Sequence, residues 1–63
     1  MIIKKVGRYE FIDSWKERVA YAIYSFSKGD ILNITQIDKG YHKIIGDELH
    51  DWHYWDLPVK ELA

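Results

Sequence analysis

The sequence contains no cysteine, which excludes disulfides, thiolate metal sites and cysteine nucleophiles. It shows no secretory signal and no window near the roughly 20 apolar residues that a membrane-spanning helix needs. One proline and four glycines are the main interruptions in 63 residues, and no linker or repeat stands out. These absences predict a single small soluble domain over residues 1–63. We expect it in the cytoplasm, with which a cysteine-free chain is compatible.

Neither sign of charge is in excess. Nine Lys and Arg against ten Asp and Glu give a formal net charge of −1. Proteins that bind nucleic acid by neutralising phosphates normally show a basic excess, and here the only basic cluster is Lys4, Lys5 and Arg8. The charge balance therefore argues against a nucleic-acid partner. A small nucleic-acid-binding barrel that uses this cluster and the sheet aromatics is the alternative function.

Aromatic residues are abundant, with three Trp, five Tyr and two Phe. A chain of this length buries only ~60% of its unfolded surface, and without disulfides its stability must come from dense apolar packing. Aromatic rings supply large buried areas. We therefore expect most of the rings to form the core.

Alternating apolar and polar residues predict a strand over residues 31–37. Two more strands are predicted over residues 41–45 and 52–57, with a polar hairpin loop over residues 46–51 between them. Pro58 then ends the pairing, because proline has no N–H to donate. The sequence after residue 30 is thus predicted to be β throughout most of its length.

Residues 15–28 carry conflicting signals. Ser14 and Glu17 fit a helix capping box, and Gly29 suits the position after a helix. Residues 19–26, however, are rich in the β-branched and aromatic residues that favour strands. The local pattern leaves two folds open: a mainly β domain, or an α+β domain with a helix over residues 15–28 packed on a three-stranded antiparallel sheet.

Four stretches resemble the Src-homology-3 (SH3) family in order and spacing. RYEF (residues 8–11) resembles its A-L-Y-D-Y/F strand, and YSFSKGDIL (24–32) resembles its L-x-F-x-x-G-D-x-L motif. KGYHKI (39–44) stands where the family has paired tryptophans, and LPVKEL (57–62) is similar to its closing I-P-x-N-Y-V. The resemblance covers nearly the whole chain. It implies a mainly β fold, a small five-stranded SH3-like barrel, with a short helical turn around residues 59–62.

The resemblance also implies a binding surface. Signalling members of the family bind proline-rich peptides in an aromatic-lined groove, which by position would contain Tyr9, Phe11, Tyr41 and Pro58. Tyr41 replaces the family's central tryptophan, and Glu61 replaces its final tyrosine. The long loop in which the family places its specificity contacts would carry Trp15 and Tyr21.

Trp52 is predicted on the sheet face opposite to Leu57, which should point into the core. This face is covered either by residues 1–6 or by a partner, because exposed aromatic patches mark interaction sites. A homo-oligomer that hides the face against a second copy is another alternative.

Chemical sites are not indicated. No nucleophile motif or glycine-rich phosphate loop is present, so we expect neither an enzyme nor a cofactor. His50 and His53, near three acidic residues, are an alternative metal site, but polar clusters at turns are ordinarily solvated loops.

We therefore predict a protein-interaction module that binds a protein or peptide partner through an aromatic surface, without catalysis, metal or membrane. The predicted partner-binding residues are Tyr9, Phe11, Trp15, Tyr21, Tyr41, Trp52 and Pro58.

Overall fold

A computed structural model describes residues 1–19, 22–38, 43–46, 49–53 and 56–62, with residues 19, 22, 43 and 49–53 described by their backbone alone. These residues form seven strands and no helix. In chain order the strands are β1 (Gly7–Phe11), β2 (Trp15–Val19), β3 (Ala22–Phe26), β4 (Ile31–Asp38), β5 (Lys43–Gly46), β6 (Leu49–His53) and β7 (Val59–Glu61). The predicted mainly β class is confirmed.

Five of the strands form one antiparallel sheet in the order β6-β5-β4-β1-β7, and β2 and β3 form a separate two-stranded hairpin. β1 is the junction of the larger sheet. On one side Tyr9 pairs with Leu32 of β4, and on the other Phe11 pairs with Val59 of β7. Over the described part of the chain, neither sheet closes into a barrel.

The helix considered for residues 15–28 is wrong. Trp15 pairs with Phe26 at the root of the β2–β3 hairpin, and the register continues to Val19 opposite Ala22. The residues of the apparent capping box interact differently, because Glu17 accepts a hydrogen bond from the Arg18 N–H instead of reaching back to Ser14. The β-favouring composition of this segment decides its structure.

Two further boundaries differ from the prediction. The strand expected over residues 52–57 is β6, which begins earlier, at Leu49, and pairs Trp52 with Ile44 of β5. The helical turn expected around residues 59–62 is instead the strand β7. It pairs with the edge of β1 that does not face β4, and just beyond it the Leu62 N–H donates to the Arg8 carbonyl.

The core draws on both sheets and on the segments next to them. Phe11 of β1 and Phe26 of β3 stack with ring centroids 4.5 Å apart and planes 9° from parallel. The half-buried side chains of Trp15, Tyr24 and Ile37 pack against the core. The buried core residues are Ile3, Tyr9, Phe11, Phe26, Leu32, Ile34, Ile44, Leu57 and Val59.

β4 shows the predicted alternation, with Leu32 and Ile34 buried and Ile31 exposed. Gly46 of β5 is in close contact with this strand. A Cβ atom added to Gly46 would overlap the Asn33 carbonyl oxygen and would lie 3.2 Å from the Ile34 Cδ1 atom. The close approach of β4 and β5 therefore requires a glycine here.

None of the described segments is a helix long and apolar enough to cross a membrane.

Candidate partner-binding site

Two of the predicted partner-binding residues lie in the core. Phe11 is fully buried, and Tyr9 is only 2% exposed. The Tyr9 hydroxyl donates a hydrogen bond of 2.8 Å to the Lys5 carbonyl, which ties the N-terminal segment to β1. Both rings thus stabilise the fold from inside.

Two others reach the surface. Trp15 is half-buried at the start of β2, with its ring 6.1 Å from that of Phe26 and tilted by 31°. Pro58 is also half-buried, and its carbonyl accepts a hydrogen bond from the Ile12 N–H. Tyr21, Tyr41 and the side chain of Trp52 lie outside the described part of the structure.

Two adjoining clefts open at the root of the β2–β3 hairpin. The first has a volume of about 350 Å³ and is lined by Ser25, Phe26, Asp30 and Ile31. The second has a volume of about 290 Å³ and is lined by Ser14, Trp15, Lys16, Ser25, Phe26 and Ser27. They share Ser25 and Phe26, and we call the two together the hairpin cleft. Of its residues, only Trp15 was predicted as a site residue.

The cleft is built by the pairing of the hairpin and by a tight turn. β2 and β3 place Trp15 opposite Phe26 and Lys16 opposite Ser25. At the turn after β3, the Asp30 carboxylate accepts the Ser27 N–H at 2.7 Å, and the Asp30 N–H donates to the Ser27 carbonyl at 3.0 Å. The wall beside Phe26 is therefore held in place by hydrogen bonds.

Gly29 joins this turn to the larger sheet. Its φ of +95° suits glycine, and its N–H donates to the Phe11 carbonyl, while the Phe11 N–H donates to the Asp30 carbonyl. The turn is thus fixed to the end of β1. The residues Lys28-Gly29-Asp30 are typical of a turn, but nothing in the sequence indicates that this turn forms the wall of a cleft.

No protein-family model, curated protein or solved structure gives a significant match to this chain.

The basic cluster at the N-terminal end is partly neutralised. Lys5 Nζ lies 2.9 Å from Glu61 Oε1, and the hydrogen bond and charge of this carboxylate raise the pKa of Lys5. A second ion pair joins Lys60 to Glu10 at 3.8 Å across β7 and β1. Such exposed pairs contribute little stability, but they reduce the positive field available to a nucleic acid.

The described residues contain no group of three or more side chains suited to hold a metal ion. His50 and His53 have only their backbone described, in β6, so the alternative metal site lies outside the described side chains.

The burial of Tyr9 predicts a loss of stability at alkaline pH. Burial raises the pKa of the Tyr9 hydroxyl above its usual value of 10.0, and the charge of Glu61 raises it further. The folded state thus favours the protonated hydroxyl. Its contribution to the free energy of unfolding is complete below pH 10 and is lost as pH rises through the higher folded-state pKa. Urea unfolding followed by tryptophan fluorescence should show the free energy of unfolding falling above pH 10.

Tyr9→Phe is the matched variant for this prediction. Its free energy of unfolding should be lower by about 1 kcal/mol at neutral pH, because the hydrogen bond is lost. Above pH 10 this free energy should fall less steeply with pH than that of the original protein. Parallel pH profiles for the two proteins would show that Tyr9 does not carry the dependence.

Proposed function

We propose that this protein is an interaction module that binds a protein or peptide partner in the hairpin cleft and performs no catalysis. The observation that carries the proposal is the cleft itself. A half-buried tryptophan, Trp15, stands beside the Phe26 ring, with serine and charged side chains around them. Aromatic anchors with a polar surround are typical of the residues that dominate protein interfaces.

We further propose an SH3-like barrel as the architecture. The support is the strand order β6-β5-β4-β1-β7, with a long hairpin inserted between β1 and β4. In the SH3 resemblance, a long hairpin loop likewise separates RYEF from the strand that begins after the Lys28-Gly29-Asp30 bend. The cleft lies at the root of this hairpin.

The size and position of the cleft favour a peptide over a small ligand. Its two parts, about 350 and 290 Å³, are near the lower limit of small-molecule sites. The two parts share Ser25 and Phe26 at the end of β3, so neighbouring side chains of one extended segment can fill both. Because Lys5 and Lys60 are already paired with carboxylates, the described charges favour a protein partner over a nucleic acid.

Trp15→Ala should weaken binding without unfolding the protein. Trp15 is only half-buried, and the core stack is formed by two other rings, those of Phe11 and Phe26. Loss of an aromatic anchor typically costs about 2 kcal/mol or more of binding free energy, roughly a thirtyfold loss of affinity. The measurement is the affinity of peptides selected on the original protein from phage-displayed random decapeptides, with circular dichroism as the test of folding.

A second pair of variants keeps this test independent of the core. Ser25→Gln places a longer neutral side chain in both parts of the cleft, and Ser25 is exposed. Thr35→Gln lengthens an exposed side chain on β4 that does not line the cleft. It also removes the hydrogen bond from the Thr35 hydroxyl to the Ile45 carbonyl, so circular dichroism must accompany this control. Binding should be lost in the first variant and kept in the second. Equal binding by both would place the partner elsewhere on the molecule.

A further inference from the structure

The hairpin cleft carries one charge of each sign, one in each of its two parts. Asp30 lines only the first part and Lys16 only the second, and the two parts share Ser25 and Phe26. The described ion pairs involve neither Asp30 nor Lys16. Both charges are exposed and so are available to a partner.

The Asp30 side is suited to a basic side chain. One carboxylate oxygen, Oδ2, holds the Ser27 N–H, so the group is oriented before any ligand arrives. Phe26 and Ile31 form the neighbouring apolar wall. Lysine and arginine lay their methylene stems along apolar surface while the charged end reaches a carboxylate. An anchored carboxylate beside an apolar wall matches this pair of properties.

The Lys16 side is suited to an acidic side chain. Ser14, Ser25 and Ser27 also line this part, and no hydrogen bond from their hydroxyls is found among the described residues. A carboxylate is an acceptor only, so it would be complementary to an ammonium group surrounded by hydroxyl donors.

We infer, on the basis of the proposed function, that the cleft selects peptides carrying an acidic residue and a basic residue on either side of an apolar one. The acidic side chain binds at Lys16, the apolar one contacts Trp15 and Phe26, and the basic one binds at Asp30. Because the two charges of the cleft differ in sign, the order of the charges in a peptide sets the direction in which it binds. A peptide with the two charges exchanged meets like charges at both ends in that direction and must bind in the reverse one.

The test is a selection of phage-displayed random decapeptides on four variants and on the original protein. Asp30→Asn keeps an oxygen for the Ser27 N–H and removes the charge, and Lys16→Gln removes the opposite charge. Their controls are Asp13→Asn, whose carboxylate accepts the Ser14 N–H in a similar way, and Lys28→Gln, in the same turn as Asp30. Neither control residue lines the cleft.

Peptides selected on the original protein should be enriched in both charges. Asp30→Asn should remove the basic preference alone, and Lys16→Gln the acidic preference alone, while both controls keep the two preferences. For the best peptide, each cleft variant should lower affinity roughly fivefold, near the upper end for an exposed ion pair. Raising the salt concentration should lower affinity for the original protein more than for either cleft variant.

Other results separate the two proposals. Peptides that Ser25→Gln blocks, but whose charge preferences survive Asp30→Asn or Lys16→Gln, would overturn the charge assignment and leave the interaction module in place. Enrichment of only one charge would also overturn it. Failure to select any peptide, or selected peptides that bind Ser25→Gln unchanged, would remove the proposed function and the charge assignment together.

Discussion

Phe11→Ala is expected to leave a large share of the protein unfolded at 25 °C. Phe11 is fully buried, stacks on Phe26 and belongs to the strand that joins both sides of the larger sheet. Truncating a buried phenylalanine costs about 3–5 kcal/mol, because apolar contacts are lost and a cavity remains. A domain of this length has a total stability of only roughly 3–9 kcal/mol. Circular dichroism and urea titration measure the loss.

The neighbouring residue supplies the control. Ile12 is 51% exposed, so Ile12→Ala should change the free energy of unfolding by about 0.5 kcal/mol or less. The two substitutions truncate side chains at consecutive positions, and the difference in burial accounts for most of the difference between their expected effects. If both variants unfolded at the same urea concentration, Phe11 would not occupy the core position that its stacking on Phe26 indicates.

Gly46→Ala is expected to destabilise the protein by about 3 kcal/mol, the upper end of the usual cost of overpacking. The added methyl group would overlap the Asn33 carbonyl oxygen and press on the Ile34 side chain. A flexible side chain could rotate away, but the Asn33 carbonyl belongs to the backbone of β4. The variant must therefore separate β5 from β4, and it should lose hydrogen-exchange protection along this pair of strands.

Gly29→Ala separates this overlap from the general effect of replacing a glycine. A Cβ atom at Gly29 meets nothing within 4 Å, although the φ of +95° is unfavourable for alanine. The expected cost is about 1–2 kcal/mol, from the backbone conformation alone. A Gly46→Ala variant as stable as Gly29→Ala would mean that β4 and β5 lie further apart than described.

The sequence predicted strands well where the local pattern and the burial agree. The alternation over residues 31–37 predicted β4, and Leu32 and Ile34 are buried as expected from one face of a strand. Residues 15–28 could not be decided locally, since the helix signals there were as good as the strand signals. The pairing of Trp15 with Phe26, which lie eleven positions apart in the sequence, decides the structure.

The end of the chain was predicted less well for a related reason. Of residues 59–61 only Val59 favours a strand, and β7 forms because the edge of β1 offers hydrogen-bonding partners. The start of β6 likewise follows from its register with β5. Edges and registers are properties of the assembled sheet, so a single segment of sequence does not reveal them.

The candidate site was predictable only in part. Trp15 was predicted as a site residue because the SH3 resemblance places it in the long loop that carries specificity contacts, whereas Ser25 and Asp30 looked like ordinary strand and turn residues. They become site residues because the hairpin pairing and the turn at residues 27–30 place them around Phe26. A cleft formed between two elements has no signature in either one.

The central position of β1 has a consequence for the speed of folding. β1 pairs with β7, near the opposite end of the described chain, as well as with β4. These long-range contacts cannot form until most of the chain has been brought together. The conformational entropy of closing the long loop between the strands is therefore lost before the contacts stabilise it. Proteins dominated by such contacts fold in milliseconds to seconds, whereas helical domains of similar size fold in microseconds to milliseconds. This small protein should therefore fold slowly for its length.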